Sequence, residues 1–544
     1  MLLAGAAFVA SYLPFVGKAF HIDDPGFIRL SRQVGWNPLR STTADYYYEG
    51  ALLAEHLPYE VPHPLLVPYV IKILASLFGE NEVELHLAFL VFPAIALLSL
   101  WRLNETLFPR LPGRAWLTVL IFGAMPAFLV NAQTVMADVP TVAFLLLGMA
   151  GYFSGIESGR ASRLWLGGLG LTLAVFSSYQ ALAVIPLLFL HAAWRRRLDL
   201  RVALVLAAPV ALMAAWLLAV YVLYGVFPVL KSRLPGTPVD AARLIAQGLD
   251  IQVILAKTFA ALGLIGAAMA WVTPLHHALK GSWITFLLLF LPLLLLSDLA
   301  LSRMTDYAFA PNAFLSVFVA LGIVTLLTLA WSVWTRRRDG RVAEEVFLLM
   351  WVLCVLGYTI VLLPFSAARY LLPLFPAALL LLVNDPAWRF TTRVRRAGLA
   401  VVLGGALLFG LASAYSDYQL AGAYRKFAAL VASQPRGGQV WYVGEWGMRY
   451  YLDRVGARYL LVDSTAPATG DLVVIPEMPR LWIPSPQVRS RMAFATEVPY
   501  RSPLPLRLFN LASHAGFYAH AWGLLPFAIS DEPDEVFQVF RIVR

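Results

Sequence analysis

The 544-residue chain is poor in charge. Asp, Glu, Lys and Arg together make up 14% of it, against roughly 25% in an ordinary soluble domain. With 60% hydrophobic residues and a mean hydropathy of +0.71, it cannot solvate a shell around a core of this size. A soluble enzyme, a disordered chain and a nucleic-acid module are excluded as readings of the whole chain. Cys354 is the only cysteine and lies in an apolar run, so no intrachain disulfide is available. One cysteine builds no framework, so this says nothing about redox compartment. A phosphate-cradling glycine loop is also missing: Gly167-Gly168 and Gly404-Gly405 lie in apolar runs and read as helix-packing positions. A nucleotide-fuelled mechanism therefore has no visible site. Metal-ligand spacing is absent too, and His276-His277, without a nearby carboxylate or cysteine in sequence, read as solvated loop residues.

Long apolar runs are what the chain has. Runs near the length of about 20 residues that a helix needs to cross the hydrocarbon core lie at 1–17, 84–101, 115–131, 139–155, 164–176, 180–194, 202–226, 258–275, 283–300, 308–334, 343–363, 370–384 and 397–415. They predict an all-α polytopic membrane protein of about thirteen transmembrane helices. No basic residue precedes the first run and no small-residue cleavage site follows it, so it reads as a retained span. The loops test this count independently. With a cytoplasmic N-terminus, every second junction is basic: Arg102/Arg110/Arg114, Arg160/Arg163, Arg195-Arg196-Arg197 with Arg201, Lys280, Arg336-Arg337-Arg338 with Arg341, and Arg389/Arg393/Arg395/Arg396. The opposite short loops hold little beyond Arg303 and Arg369. The net charge of +10 thus reads as positive-inside bias, not as a nucleic-acid footprint.

Three outer segments are longer. The first, 18–82, is rich in aromatic and polar residues and includes Tyr46-Tyr47-Tyr48, a pattern suited to the membrane interface. The second, 227–257, carries Pro228, Pro235, Gly236 and Pro238 before an amphipathic stretch. The third is 416–544, where charge returns and apolar runs shorten. Residues 439–443, 458–462, 472–475 and 536–543 read as strands and 446–454 as a short helix. This predicts two units: a transmembrane catalytic domain over 1–415, with its outer loop at 18–82, and a small α/β exoplasmic domain over 416–544.

Conducting proteins place ionisable residues in mid-span, yet here carboxylates gather at outer helix ends: Asp23, Asp24, Glu60 and Asp138. That favours chemistry at the outer face over passage through the middle. In His21-Ile22-Asp23-Asp24-Pro25-Gly26, Asp24 reads as an N-cap with Pro25 at the first helical position, which leaves Asp23 without a structural role. Asp138, before Val139-Pro140, reads equally as a helix cap or a functional carboxylate. Glu60 and His63 are held in extended geometry by Pro62 and Pro64, as part of a rigid turn or as substrate contacts. Arg369-Tyr370 opens a late span from an otherwise uncharged loop. Arg369 suits a lipid phosphate at a helix N-terminus and would equally serve as an interfacial anchor. His21, Asp23, Asp24, Glu60 and His63 could form a hard-cation site only through tertiary folding.

In this order the residues resemble the GT-C superfamily of membrane glycosyltransferases, nearest the branch of protein O-mannosyltransferases and lipid A aminoarabinose transferases. The resemblance rests on four elements spread over about residues 1–415: the acidic pair Asp23-Asp24 after the first span, His63-Pro64-Leu65-Leu66 running on to Leu77-Phe78-Gly79, Met136-Ala137-Asp138-Val139-Pro140, and Arg369-Tyr370-Leu371-Leu372-Pro373 with Pro376. Two departures stand out. Leu65 replaces the second proline of a Pro-Pro pair, and Asp-Asp replaces Asp-Glu, which leaves open which aspartate faces the substrate.

The resemblance implies a hexosyl- or pentosyl-type transferase in the inner (cytoplasmic) membrane, with its C-terminal domain periplasmic. It would take a sugar from a polyprenyl-phosphate donor and pass it to a hydroxyl of an acceptor lipid, glycan or protein, with inversion. It implies Asp23 as general base, with Asp24 and Asp138 also catalytic. Glu60, His63, Arg369 and Tyr370 would bind substrate, and a divalent cation is a candidate cofactor. A lipid-linked-oligosaccharide flippase or other transporter is the competing reading. It expects mid-span charges and internal repetition, neither of which the sequence contains.

Overall fold

The computed structural model describes residues 10–543 apart from 42–43, 58, 62, 112, 229–249, 337–341, 387, 389–392, 435–436 and 481. Most of the first expected span, and most of the second outer segment with its amphipathic stretch, lie outside the described residues.

The chain is mostly helical. Among the described residues, 8 helices are long and apolar enough to cross a membrane, and five apolar helices are shorter. The expected spans at 115–131, 180–194 and 370–384 are interrupted by proline. Pro126, Pro186 and Pro376 each sit in the first turn of a new helix, after Arg114–Ala124, after the 3-10 turn Tyr179–Val184 and after the 3-10 turn Leu372–Leu374. A proline there lacks the N–H that continuation of the preceding helix requires.

After the first apolar run comes α1 (Asp24–Gln33), then a hairpin of β1 (Ala44–Tyr48) and β2 (Ala51–Leu57). The helix α2 (Asp138–Ser158) is the most enclosed of the candidate spans, with 83% of its apolar window buried. It packs on α3 (Ala161–Ser177) through glycines: a Cβ on Gly151 would lie 2.4 Å from the Gly167 backbone nitrogen, and one on Gly170 would lie 2.5 Å from that of Gly148. Gly167 thus has the packing role expected of it, whereas Gly404 has nothing within 4 Å of a Cβ position.

The helix α4 (Arg393–Ser433) runs for 41 residues, about 62 Å at 1.5 Å per residue and roughly twice the hydrocarbon thickness. The expected boundary at 415/416 falls inside it, so the apolar first half and the polar second half are one rigid rod. Beyond it, β3 (Val440–Tyr442), α5 (Trp446–Arg454), β4 (Arg458–Tyr459), β5 (Leu472–Pro476), β6 (Met492–Tyr500) and β7 (Glu535–Ile542) form a mixed layer. The five-stranded sheet has the order β4-β3-β5-β7-β6, parallel across β4, β3 and β5 and antiparallel across β5, β7 and β6. Four of these strands and α5 match the expected elements; β6 is the addition.

One expectation is corrected. His276 and His277 are buried, not solvated. Trp388 Nε1 donates to His276 Nδ1 at 2.8 Å, Asp385 lies 3.7 Å from His276 Nε2, and His277 bonds Thr328 and Ser282. All but Ser282 of these partners come from distant segments, which a linear reading could not pair. The Tyr46-Tyr47-Tyr48 run is a paired strand docked on the C-terminal segment. Gly50 accepts from the Val462 N–H at 2.9 Å and donates to the Tyr459 hydroxyl at 2.9 Å.

Candidate active site

Two buried networks fix the segment that follows the first apolar run. In one, Lys18 Nζ lies 2.7 Å from Asp417 Oδ2 on α4, both side chains being at most 1% exposed. The Tyr518 hydroxyl donates to Asp417 Oδ1 at 2.9 Å, and His21 Nε2 lies 3.3 Å from the same oxygen. Charges this deep persist only when paired, so Asp417 ties three distant segments together.

Asp24 makes the second network. It is fully buried, and its two oxygens accept the N–H of Val135 at 2.7 Å and of His21 at 3.3 Å. Burial pushes its carboxyl up to about 6, against the charges of Lys18 and His21 and those two bonds. The N-cap expectation is thereby corrected. Asp23 occupies the N-cap position of α1 without capping it, and Asp24 lies inside the first turn, spending its oxygens on the loop that leads into Asp138.

Asp23 is the aspartate left open. Its side chain is 36% exposed, and its Oδ2 lies 2.9 Å from Arg369 Nη2. Arg369 is buried in the short helix Ala368–Leu371, with the rings of Tyr370, Phe365 and Tyr518 within 6.0 Å of its guanidinium carbon. Its Nη2 also reaches the Tyr370 hydroxyl at 3.4 Å, while its Nη1 is buried with no partner among the described residues. Asp138, at the first position of α2, is within electrostatic reach of both Arg369 and Asp23. His63 is half-buried with its ring 5.3 Å from that of Phe27. Burial pushes it down to about 4, opposed by Asp23 and reinforced by Arg369. Tyr370 accepts Gln180 Nε2 on its carbonyl at 2.6 Å. Glu60 is buried between Tyr59 and Val61, which pack in a separate apolar cluster with Leu30 and Val34. Five of the seven candidate residues therefore meet around Asp23 and Arg369, while Asp24 is turned into the backbone and Glu60 lies in the wall behind α1. No three His, Cys, Asp or Glu side chains among the described residues converge as metal ligands.

Sequence reasoning missed the other side of the site. Asp23 borders a cavity of about 150 Å³ between α1, β1 and α5, whose walls include Arg29, Tyr46, Tyr48, Glu445, Trp446 and Arg449. Glu445 and Arg449 form a buried i,i+4 pair at 3.1 Å, and burial pushes the Glu445 carboxyl up despite it. Ile22 and Trp446, on facing walls, have φ of 51° and 58°. Bulky residues rarely adopt this left-handed conformation, which costs of order 1–3 kcal/mol and persists where surrounding contacts enforce it. The only signal for α5 in the sequence was its own periodicity, which says nothing about what it faces.

Residues 62–228 match the family described as dolichyl-phosphate-mannose-protein mannosyltransferase. No curated protein sequence matches the chain. Among solved structures, ArnT from Cupriavidus metallidurans bound to undecaprenyl phosphate is similar at 13% identity, over 87% of this chain and 92% of that one, with a TM-score of 0.40. The oligosaccharyltransferase of Archaeoglobus fulgidus tethered with an acceptor peptide is similar at 13% identity, over 84% and 63%, with a TM-score of 0.46. The protein O-mannosyltransferase Pmt1-Pmt2 complex of S. cerevisiae is similar at 15% identity, over 43% and 34%, with a TM-score of 0.31. These are distant likenesses of fold. The family match over 62–228, which contains His63 and Met136–Pro140, bears out the resemblance to the GT-C superfamily of membrane glycosyltransferases.

Proposed function

We propose that the protein transfers a sugar from a polyprenyl-phosphate donor to an acceptor hydroxyl at the exoplasmic membrane face, with inversion at the anomeric carbon. Asp23 takes the proton of the attacking hydroxyl. The new bond forms as the bond between the anomeric carbon and the phosphate oxygen breaks, and the negative charge released falls to Arg369. The observation that carries this reading is the pair itself: an accessible carboxylate held 2.9 Å from a buried guanidinium whose second terminal nitrogen has no partner among the described residues. A buried unpaired donor is costly, and a phosphate oxygen would satisfy it with a charge-assisted bond.

The remaining parts fit the same scheme. A small apolar crevice of about 20 Å³ is lined by Ala267, Phe409, Phe517 and Ala368, the residue before Arg369. Asp138 and His63 border the pair, and Asp24 sets the loop before Asp138. On this reading the membrane domain has about thirteen spans with a cytoplasmic N-terminus, the C-terminal segment is periplasmic, and the membrane is the inner one. The sugar is a hexose or pentose, and a divalent cation would act, if present, through Asp23 and Asp138.

The experiment is transfer from radiolabelled polyprenyl-phosphate sugars in membranes, comparing wild type with Asp23→Asn at equal expression. Label in a product with wild type alone supports the assignment. No turnover of any donor by folded wild type overturns it in favour of a transporter.

A further inference from the structure

Asp23 separates two unlike environments. On one side lies Arg369, buried among aromatic rings. On the other lies the cavity between α1, β1 and α5, whose lining includes Asp23 but, among the described residues, not Arg369. In a displacement with inversion the hydroxyl attacks the anomeric carbon opposite the leaving group, so the base must open onto the acceptor. We infer that the cavity between α1, β1 and α5 is the acceptor subsite, that the C-terminal segment builds one of its walls, and that the acceptor is a saccharide. This rests on the transferase reading above.

The chemistry of the walls selects the class. Tyr48 and Trp446 line it with aromatic surface, against which the C–H face of a pyranose ring packs. Arg29, Arg449 and Glu445 offer the planar, multiply bonding groups that ring hydroxyls accept from and donate to. A lipid acceptor chain would need an apolar lining, and a peptide would need an open edge or a long groove. The cavity mixes polar and apolar lining and has room for about one ring.

It is also rigid, as a binding site should be. Glu445 accepts from the Glu49 N–H at 3.0 Å and from the Tyr459 hydroxyl, and Arg449 donates to the Tyr47 carbonyl and stacks 4.0 Å from the Tyr459 ring centroid. The β1–β2 turn and α5 are therefore one unit. The left-handed residues on facing walls, Ile22 and Trp446, belong to this same cavity.

The test is binding, so it does not depend on turnover. Full-length protein in lipid nanodiscs is examined by saturation-transfer NMR with the methyl glycosides of glucose, mannose, galactose, N-acetylglucosamine and glucuronate. Tyr48→Phe and Arg29→Gln are the variants, both at half-buried positions where folding tolerates change. The proposal expects saturation of at least one glycoside by wild type, reduced by about threefold or more in each variant, as loss of one hydrogen bond implies, with the unfolding temperature unchanged. No saturated glycoside, or a signal that both variants retain, overturns it. Displacement of the glycoside by a phosphonate analogue of polyprenyl-phosphate mannose would put the donor sugar in the cavity and overturn the acceptor assignment. Release of polyprenyl phosphate by wild type is measured separately. Release without glycoside binding defeats the cavity proposal alone; glycoside binding without release of any donor's phosphate defeats the transferase reading and leaves a saccharide cavity.

Discussion

Asp23 Oδ2 and Arg369 Nη2 stand 2.9 Å apart, although one residue follows the first apolar run and the other opens a late helix. Asp24, the adjacent residue, points away from this pair and into the backbone of residues 21 and 135. Two neighbouring aspartates thus have opposite surroundings, and their substitution separates chemistry from architecture.

Asp23→Asn is expected to lower transfer by about 10²–10⁴-fold, the contribution of a positioned general base, more than the weakened pairing of Arg369 costs in stability. Asp24→Asn is expected to do the reverse. An amide presents an N–H where the His21 N–H needs an acceptor, which destabilises by about 1–3 kcal/mol. Transfer rate and thermal unfolding measured on both variants decide it.

Arg369→Gln is expected to lower transfer by about 10²–10³-fold through loss of the charge facing the leaving phosphate. Arg369→Lys should recover little, because a point charge cannot bond Asp23 and a phosphate together as a guanidinium does. Single-turnover rates with a saturating donor check this.

Stability should depend on Asp24 in acid. Its folded carboxyl titrates near 6 against an ordinary 3.8, so the folded state holds the proton more tightly. The stabilising contribution is complete below about pH 4 and is lost as pH rises through 6, amounting to about 3 kcal/mol at most. Wild type should therefore gain stability relative to Asp24→Asn between pH 7 and 4. A constant difference across that range refutes the assignment.

Asp417→Asn leaves the buried Lys18 ammonium without its counter-charge and is expected to cost about 3–5 kcal/mol. Adding Lys18→Met should restore much of that loss, since an apolar pair needs no compensation. A double-mutant cycle by thermal unfolding measures the coupling.

Gly151→Ala places a methyl 2.4 Å from the Gly167 nitrogen, so α2 and α3 must separate. Overpacking of this kind costs about 1–3 kcal/mol. Asp138 opens α2, so transfer should also fall, and the two readouts should move together.

Composition and periodicity alone determined that the chain is a membrane protein, because a lipid solvent demands long helices of apolar side chains and the sequence contains little else. They also marked Asp23, His63, Asp138, Arg369 and Tyr370, since ionisable or polar groups at the ends of apolar runs stand out against that background. The runs at 115–131 and 370–384 pass over Pro126 and Pro376 without a break, and only the structure shows these prolines beginning new helices. Tertiary structure decided the rest. Which of Asp23 and Asp24 is accessible depends on Val135, and the burial of His276 depends on Trp388 and Asp385. The wall that α5 gives to the cavity depends on a 41-residue helix carrying the C-terminal segment back over the first loop. Such contacts are set by packing between distant segments, and no local pattern of residues encodes them.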